Sequence, residues 1–343
     1  MNIEEAEQAL IRLIDKSRLH FYKPVQIAEI LYHDRVHHDV DLPSLETYRT
    51  QSKKGRDDMT MRLIGRVCTS SSRFQDNLFD DNAIPPAVLE ALGTLNRKTG
   101  GSVEAYIYSR FMNRHSQLRQ ALDYCRTASA ENFDIKKFIA SFRYEAGLRR
   151  SLDKIYEIVV YALFSALAEV LNLRITVSVD ETKSGLLEEF GDFAEKVMSI
   201  TPKFGTHSEP AKIFRAGVTN AADRGIDIYS NWGAVIQVKH FSLDDELAED
   251  ITSNVSSDRV IIVCRDAERK TILSLLTQIG WRSHIQSIIT ENDLVLWYEK
   301  ALRGKYSCLT GDNVLKCLRY EIAGEFPSAD DVPEVLIARY YAL

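Results

Sequence analysis

Sulfur, long apolar runs and surplus positive charge are all scarce in this chain of 343 residues. Its five cysteines, Cys68, Cys125, Cys264, Cys308 and Cys317, are scattered and odd in number, and no two stand in C-x-x-C spacing. A zinc ribbon and a disulfide framework are thereby excluded, and a reducing cytoplasm is expected. The longest apolar run, Ile155 to Leu171, is short for a membrane span and contains Glu157 and Glu169. The opening MNIEEAEQALIRLIDK is charged and amphipathic where a secretory leader would be apolar, so a soluble protein with no membrane partner is expected. Lys and Arg number 43 against 49 Asp and Glu, giving a net charge of −6. Taken alone, that balance argues against a polyanionic partner. Net charge is a poor guide, however, when charges are segregated. Between Thr47 and Gln75 stand Arg49, Lys53, Lys54, Arg56, Arg62, Arg66 and Arg73 against only Asp57 and Asp58, while acids gather in the first helix, at 76–81 and at 244–250.

Against that background the stretch Gly225 to Lys239, GIDIYSNWGAVIQVK, carries the most chemistry. Ile226 and Ile228 alternate with Asp227 and Tyr229, Ser230-Asn231-Trp232-Gly233 has turn chemistry, and Val235 to His240 resumes as a strand. Folding the hairpin about Trp232 and Gly233 sets Asp227 opposite Gln237 and Lys239, with Ile236 and Val238 directed to the core. A carboxylate, an amide oxygen and an ammonium then share one place. Oxygen donors suit a hard divalent cation such as Mg²⁺, and a lysine beside them can orient an attacking water and stabilise developing negative charge. The bland reading is a strand-edge acid with a lysine salt-bridge partner.

Upstream, Ser151 to Asn172 reads as a helix capped by Ser151, apolar on most of its circumference. Glu157 lies within that apolar surface, where an unpaired carboxylate is costly, so it needs a partner. Strands are expected at Ile175 to Val179 (ITVSV) and Arg259 to Cys264, with a helix near Asp244 to Thr252 between them and the hairpin on its way. Beyond Cys264 the pattern predicts a helix over Ala267 to Gln278, a strand over Leu294 to Tyr298, and a helical tail from near Asp312. Thr201 to Arg224 reads as a loop bearing Lys203, His207, Lys212, Arg215 and Arg224 beside the candidate site.

The part before residue 150 reads as helical: Ile3 to Ser17, Pro24 to Tyr32, a helix from Leu45 into the basic island, Pro86 to Asn96, and Val103 to Arg126. Arg110, Arg114 and Arg119 on the last of these, with Tyr106 and Tyr108, fit either a nucleic-acid contact or a solvated helix face. His33, His37 and His38 have no cysteines or second ligand cluster nearby and read as polar loop residues.

The hairpin with its Asp and Gln-x-Lys resembles the core of the PD-(D/E)XK nuclease superfamily. That resemblance implies an α/β (α+β) fold, with a mixed central sheet flanked by helices, in the order helix, three strands, helix, strand. It also implies that an acid on the first helix, here Glu157, completes the site. Across the whole chain, EQALIRLIDKS, HFYKPVQIAEIL, KIYEIVVYALF and GIDIYSNWGAVIQVKHF resemble type II restriction endonucleases of the HaeII kind. The resemblance implies Glu157, Asp227, Gln237 and Lys239 as catalytic residues, with Asp227, Gln237 and Glu157 holding Mg²⁺. Double-stranded DNA would be cut at a palindrome with a GCGC core, leaving 5′-phosphate and 3′-hydroxyl ends, by a homodimer in a bacterial cytoplasm. A cognate methyltransferase would act on the same site. The expected DNA contacts are Lys53, Lys54, Arg56, Arg62, Arg66, Arg73, Lys212, Arg215 and Arg224. Residues 1–148 would form a helical region for recognition or dimerisation, 149–310 the catalytic core, and 311–343 a helical tail. Open alternatives are an Mrr-like modification-dependent or structure-specific nuclease, a non-enzymatic DNA-binding regulator, and a phosphoesterase acting on small substrates.

Overall fold

Apolar residues at three- and four-residue spacing make the N-terminal half helical. A computed structural model describes residues 2–17, 19–67, 78–79, 83–145, 147–216, 226–240, 259–267, 269–278, 285–326 and 336. Helix α1 (Ile3–Lys16) opens on Asn2, whose side chain accepts the Glu4 N–H while Glu5 accepts the Asn2 N–H. There follow α2 (Tyr22–Tyr32), α3 (Leu45–Tyr48), α4 (Gln51–Ile64), α5 (Pro86–Lys98), the long α6 (Ser102–Thr127) and α7 (Ile135–Tyr144). The basic island therefore begins as two helices, not one. Helices α1, α2, α4, α5 and the first half of α6 enclose one apolar core, to which Leu336 returns. Past Met112, α6 enters a second core, where Leu118, Leu122 and Cys125 meet Phe138 and Phe142 of α7.

That second core is centred on α8 (Leu152–Val170), whose Ile155, Tyr156, Ile158, Val159, Ala162 and Leu163 are fully buried. Next comes an excursion: β1 (Arg174–Ser178), α9 (Ser184–Glu189), α10 (Gly191–Met198) and β2 (Thr206–Pro210). Strands β1 and β2 pair antiparallel, Arg174 with Pro210 through Ser178 with Thr206, as a ribbon of their own. The main sheet is built from β3 (Ile213–Arg215), β4 (Ile228–Ser230), β5 (Val235–Lys239), β6 (Val260–Cys264) and β7 (Ile285–Thr290), in that order, with α11 (Arg269–Gln278) between β6 and β7. The β3–β4 and β4–β5 pairs are antiparallel and the last two parallel. One face, through Ile228, Ile236, Val238, Val263 and Ile289, joins the α8 core. The other packs Val235, Val260, Ile262 and Ile285 with Leu275 of α11. Helices α12 (Glu291–Arg303) and α13 (Ser307–Glu325) close the second core, α13 lying along α8. None of the helices described is long and apolar enough to cross a membrane.

The expected α+β class with a mixed sheet and a helical N-terminal region is observed. Four local expectations are corrected. ITVSV does form a strand, but its partner is β2 and it stays outside the main sheet; β3, within the stretch read as loop, takes that place. Both β2 and β3 are short and only partly apolar, so pairing rather than periodicity creates them. Leu294 to Tyr298 is helical: Thr290 and Asp293 form a capping box that starts α12, and Leu294, Tyr298 and Leu302 recur at four-residue spacing on its buried face. The strand lies earlier, at Ile285–Thr290, and α13 begins at Ser307 rather than near Asp312. The helix expected near Asp244 to Thr252 falls outside the described residues.

Candidate active site

The β4–β5 hairpin turns where its sequence places turn chemistry. Ser230 N–H donates to Ala234 O at 2.9 Å, Ala234 N–H donates to Ser230 Oγ at 2.9 Å, and Gly233 holds φ +89°, a conformation that favours glycine. The register pairs Ile228 with Ile236 and Tyr229 with Val235, which brings Asp227, just before β4, level with the far end of β5. There the Val238 N–H donates to Asp227 Oδ2 at 2.8 Å, fixing the carboxylate at the mouth of the hairpin. Gln237 is 2% exposed and pairs across to Ile262 of β6, and Lys239 ends the strand half-buried.

Helix α8 supplies the second acid. Glu157 is buried, and Lys154, one turn earlier, sets its Nζ 2.7 Å from both carboxylate oxygens. Arg215, at the end of β3, has Nη1 4.0 Å from Glu157 Oε2. It is held from behind by α13, with Nε 3.0 Å from Glu321 Oε2 and Nη1 3.1 Å from Glu325 Oε2. These two glutamates keep the guanidinium firmly charged. Asp153 of α8 pairs with His240 at the end of β5.

Electrostatically the two acids are a strained pair. Burial pushes the Glu157 carboxyl up to about 7; Lys154 and Arg215 draw it down and the charge of Asp227 raises it. Burial likewise raises Asp227, against the Val238 amide and the charges of Lys239 and Lys154. Two carboxylates resisting ionisation are oxygen donors of the kind that suits a hard cation. Among the described residues no group of three or more His, Cys, Asp or Glu could hold a metal.

A match to the HaeII restriction endonuclease family runs from residue 6 to residue 341. The chain belongs to that family. It is 53% identical over 331 residues to the type II restriction enzyme HaeII of Haemophilus aegyptius, covering 96% of this chain and 94% of that relative. It is 55% identical over 340 residues to the type II restriction enzyme NgoBI of Neisseria gonorrhoeae, covering 98% and 96% respectively. No solved structure matches the chain. As a member of the HaeII family it is a type II restriction endonuclease, part of a restriction-modification system.

The basic residues expected to meet the HaeII-family substrate occupy three different settings. Lys54 and Arg62 are exposed on α4, Lys53 is half-buried there, and Lys212 is exposed at the start of β3. Arg56, 1% exposed, points inward instead, donating to Gln26 Oε1 at 3.0 Å and Asp57 Oδ1 at 3.1 Å. Arg66 donates to the Gly324 and Glu325 carbonyls at the end of α13, and Arg215 is engaged by Glu321 and Glu325. Arg73 and Arg224 lie outside the described residues. On α6, Arg114 and Tyr108 also turn inward, Arg114 to the Ile14 and Ser17 carbonyls and Tyr108 to Glu29. His33 pairs with Asp39 at 3.2 Å. Sequence reasoning missed Lys154, although its three-residue spacing from Glu157 was a readable signal, and missed the Glu321 and Glu325 support of Arg215.

Proposed function

We infer that this enzyme cuts both strands of duplex DNA in a Mg²⁺-dependent reaction at the site formed by Asp227, Glu157, Gln237 and Lys239. The observation that supports this most is the juxtaposition of Asp227, pinned by the Val238 amide, with Glu157, whose burial and proximity to a second acid call for added positive charge. Asp227, the Gln237 carbonyl and Glu157 would hold the ion, which when bound polarises a phosphate oxygen and lowers the pKa of a coordinated water. Lys239 positions the nucleophilic water and balances charge developing on the phosphate, leaving a 5′-phosphate and a 3′-hydroxyl. Lys154 and Arg215 hold Glu157 ready when no DNA is present. The exposed Lys54 and Arg62 and the half-buried Lys53, within a helical region, 1–148, that recognises the duplex, are the DNA contacts, joined by the exposed Lys212 beside the hairpin. The target in this reading is a palindrome with a GCGC core, cut by a homodimer with one site per strand, and a methyltransferase acts on the same sequence.

Unmethylated plasmid and phage DNA incubated with Mg²⁺ or EDTA test this. Discrete Mg²⁺-dependent bands whose sequenced ends share one palindrome are expected, and Lys239→Ala should bind DNA without cutting it. Full cleavage by Lys239→Ala, or DNA left intact by folded enzyme, would overturn the assignment.

A further inference from the structure

The excursion between α8 and β3 leaves a face uncovered. Leu186 of α9, Phe190 between the helices, and Phe193 and Val197 of α10 are 56%, 52%, 56% and 64% exposed, while Ala194 and Ile200 are buried. Their 4-3-4 spacing is that of a helix–helix seam, and the two helices follow one another with only Phe190, at φ −104° and ψ 27°, interrupting the helical backbone. These four present roughly 450 Å² at ordinary residue areas, enough for the apolar centre of an interface whose rim is polar.

The charges beside the seam say what fits it. Glu188, Glu189, Asp192 and Glu195 outnumber Lys196 on these helices, so the surface repels a phosphate backbone. Glu189 immediately precedes Phe190 and Lys196 immediately precedes Val197, which sets both on the same flank, one heptad apart. An antiparallel two-fold pairing centred between Phe190 and Phe193 brings Leu186 against the partner's Val197 and Glu189 beside the partner's Lys196, twice by symmetry. A parallel pairing leaves both charges without counter-charges.

We propose that α9 and α10 form the homodimer interface of this enzyme, pairing antiparallel with the same helices of a second copy. This assigns a surface to the homodimer reading above, but its test needs neither DNA nor metal. Equilibrium sedimentation of the full chain in EDTA should show a dimer, and Phe193→Glu, altering an exposed side chain, should give a monomer with an unchanged circular dichroism spectrum. Glu189→Lys should raise the dissociation constant by about tenfold or more, and adding Lys196→Glu should restore it. A monomeric wild-type chain, a Phe193→Glu variant that stays dimeric, or a charge exchange that fails to restore association would overturn the assignment. A dimer through this seam that cuts no DNA would leave this inference standing and remove the nuclease site; DNA cut by a chain paired elsewhere would do the reverse.

Discussion

Glu157 concentrates the electrostatic tension of the site. Its carboxyl, near 7 in the folded chain against an ordinary 4.5, is harder to ionise folded than unfolded. Without metal that penalty is absent below about pH 4.5 and complete above about pH 7, so stability falls as pH rises across the interval. Urea midpoints in EDTA at about pH 5 and about pH 8 should drop for the wild type and drop less for Glu157→Gln; equal drops would contradict this origin. Arg215 acts on the same carboxylate from outside. Arg215→Ala should lower single-turnover cleavage roughly 10- to 100-fold while DNA binding in a gel-shift assay is retained, and Arg215→Lys, which keeps charge but loses the two-sided grip of Glu321 and Glu325, should fall between. Unchanged cleavage by Arg215→Ala would make the residue purely structural. The hairpin acid and its Gln-x-Lys were legible because they are local, united by strand alternation and one turn. Arg215 and its glutamates, 106 and 110 residues apart in the chain, meet only through packing, so its charge read as a DNA contact.

At the scale of elements, helices were legible from spacing, α1, α2, α5, α6 and α8 among them, as were β1, the β4–β5 hairpin and β6, whereas β2, β3 and β7 were not. Residues Leu294 to Tyr298 resemble a strand until the capping box before them is counted, and β3 has too few residues to show any period. Two hydrogen bonds tie α12 to α8: the Tyr156 hydroxyl donates to the Glu291 carboxylate, and Tyr298, fully buried, donates its hydroxyl to the Val159 carbonyl at 2.8 Å. Tyr298→Phe should cost about 1 kcal/mol in urea unfolding, with no change in cleavage at saturating DNA, because the carbonyl keeps its place in the helix. A loss several times larger would show that the ring, not the bond, had shifted.

For the molecule as a whole, the two large cores are threaded on α6, and the second draws Leu118, Leu122, Phe138 and Phe142 from before residue 149. A fragment of residues 149–343 should therefore lack cooperative unfolding by circular dichroism, its sheet and α8 deprived of one wall; a sharp transition in that fragment would show that the catalytic half folds by itself. Sequence composition separated a helical half from a mixed one, but not how a single helix stitches them, since nothing in the run Ser102–Thr127 marks where it passes from one core to the other. The foot of the excursion is fastened with similar economy. Asn231, in the hairpin turn, accepts the Lys212 N–H at 2.8 Å, donates its own N–H to Lys212 O at 3.1 Å, and donates from its amide to Glu209 and Pro210. From Lys212 only three residues of chain lead to Arg215, and from Asn231 the hairpin returns to Asp227. The foot of the excursion is thus anchored within three residues of the Arg215 guanidinium on one strand and four of the Asp227 carboxylate on the other.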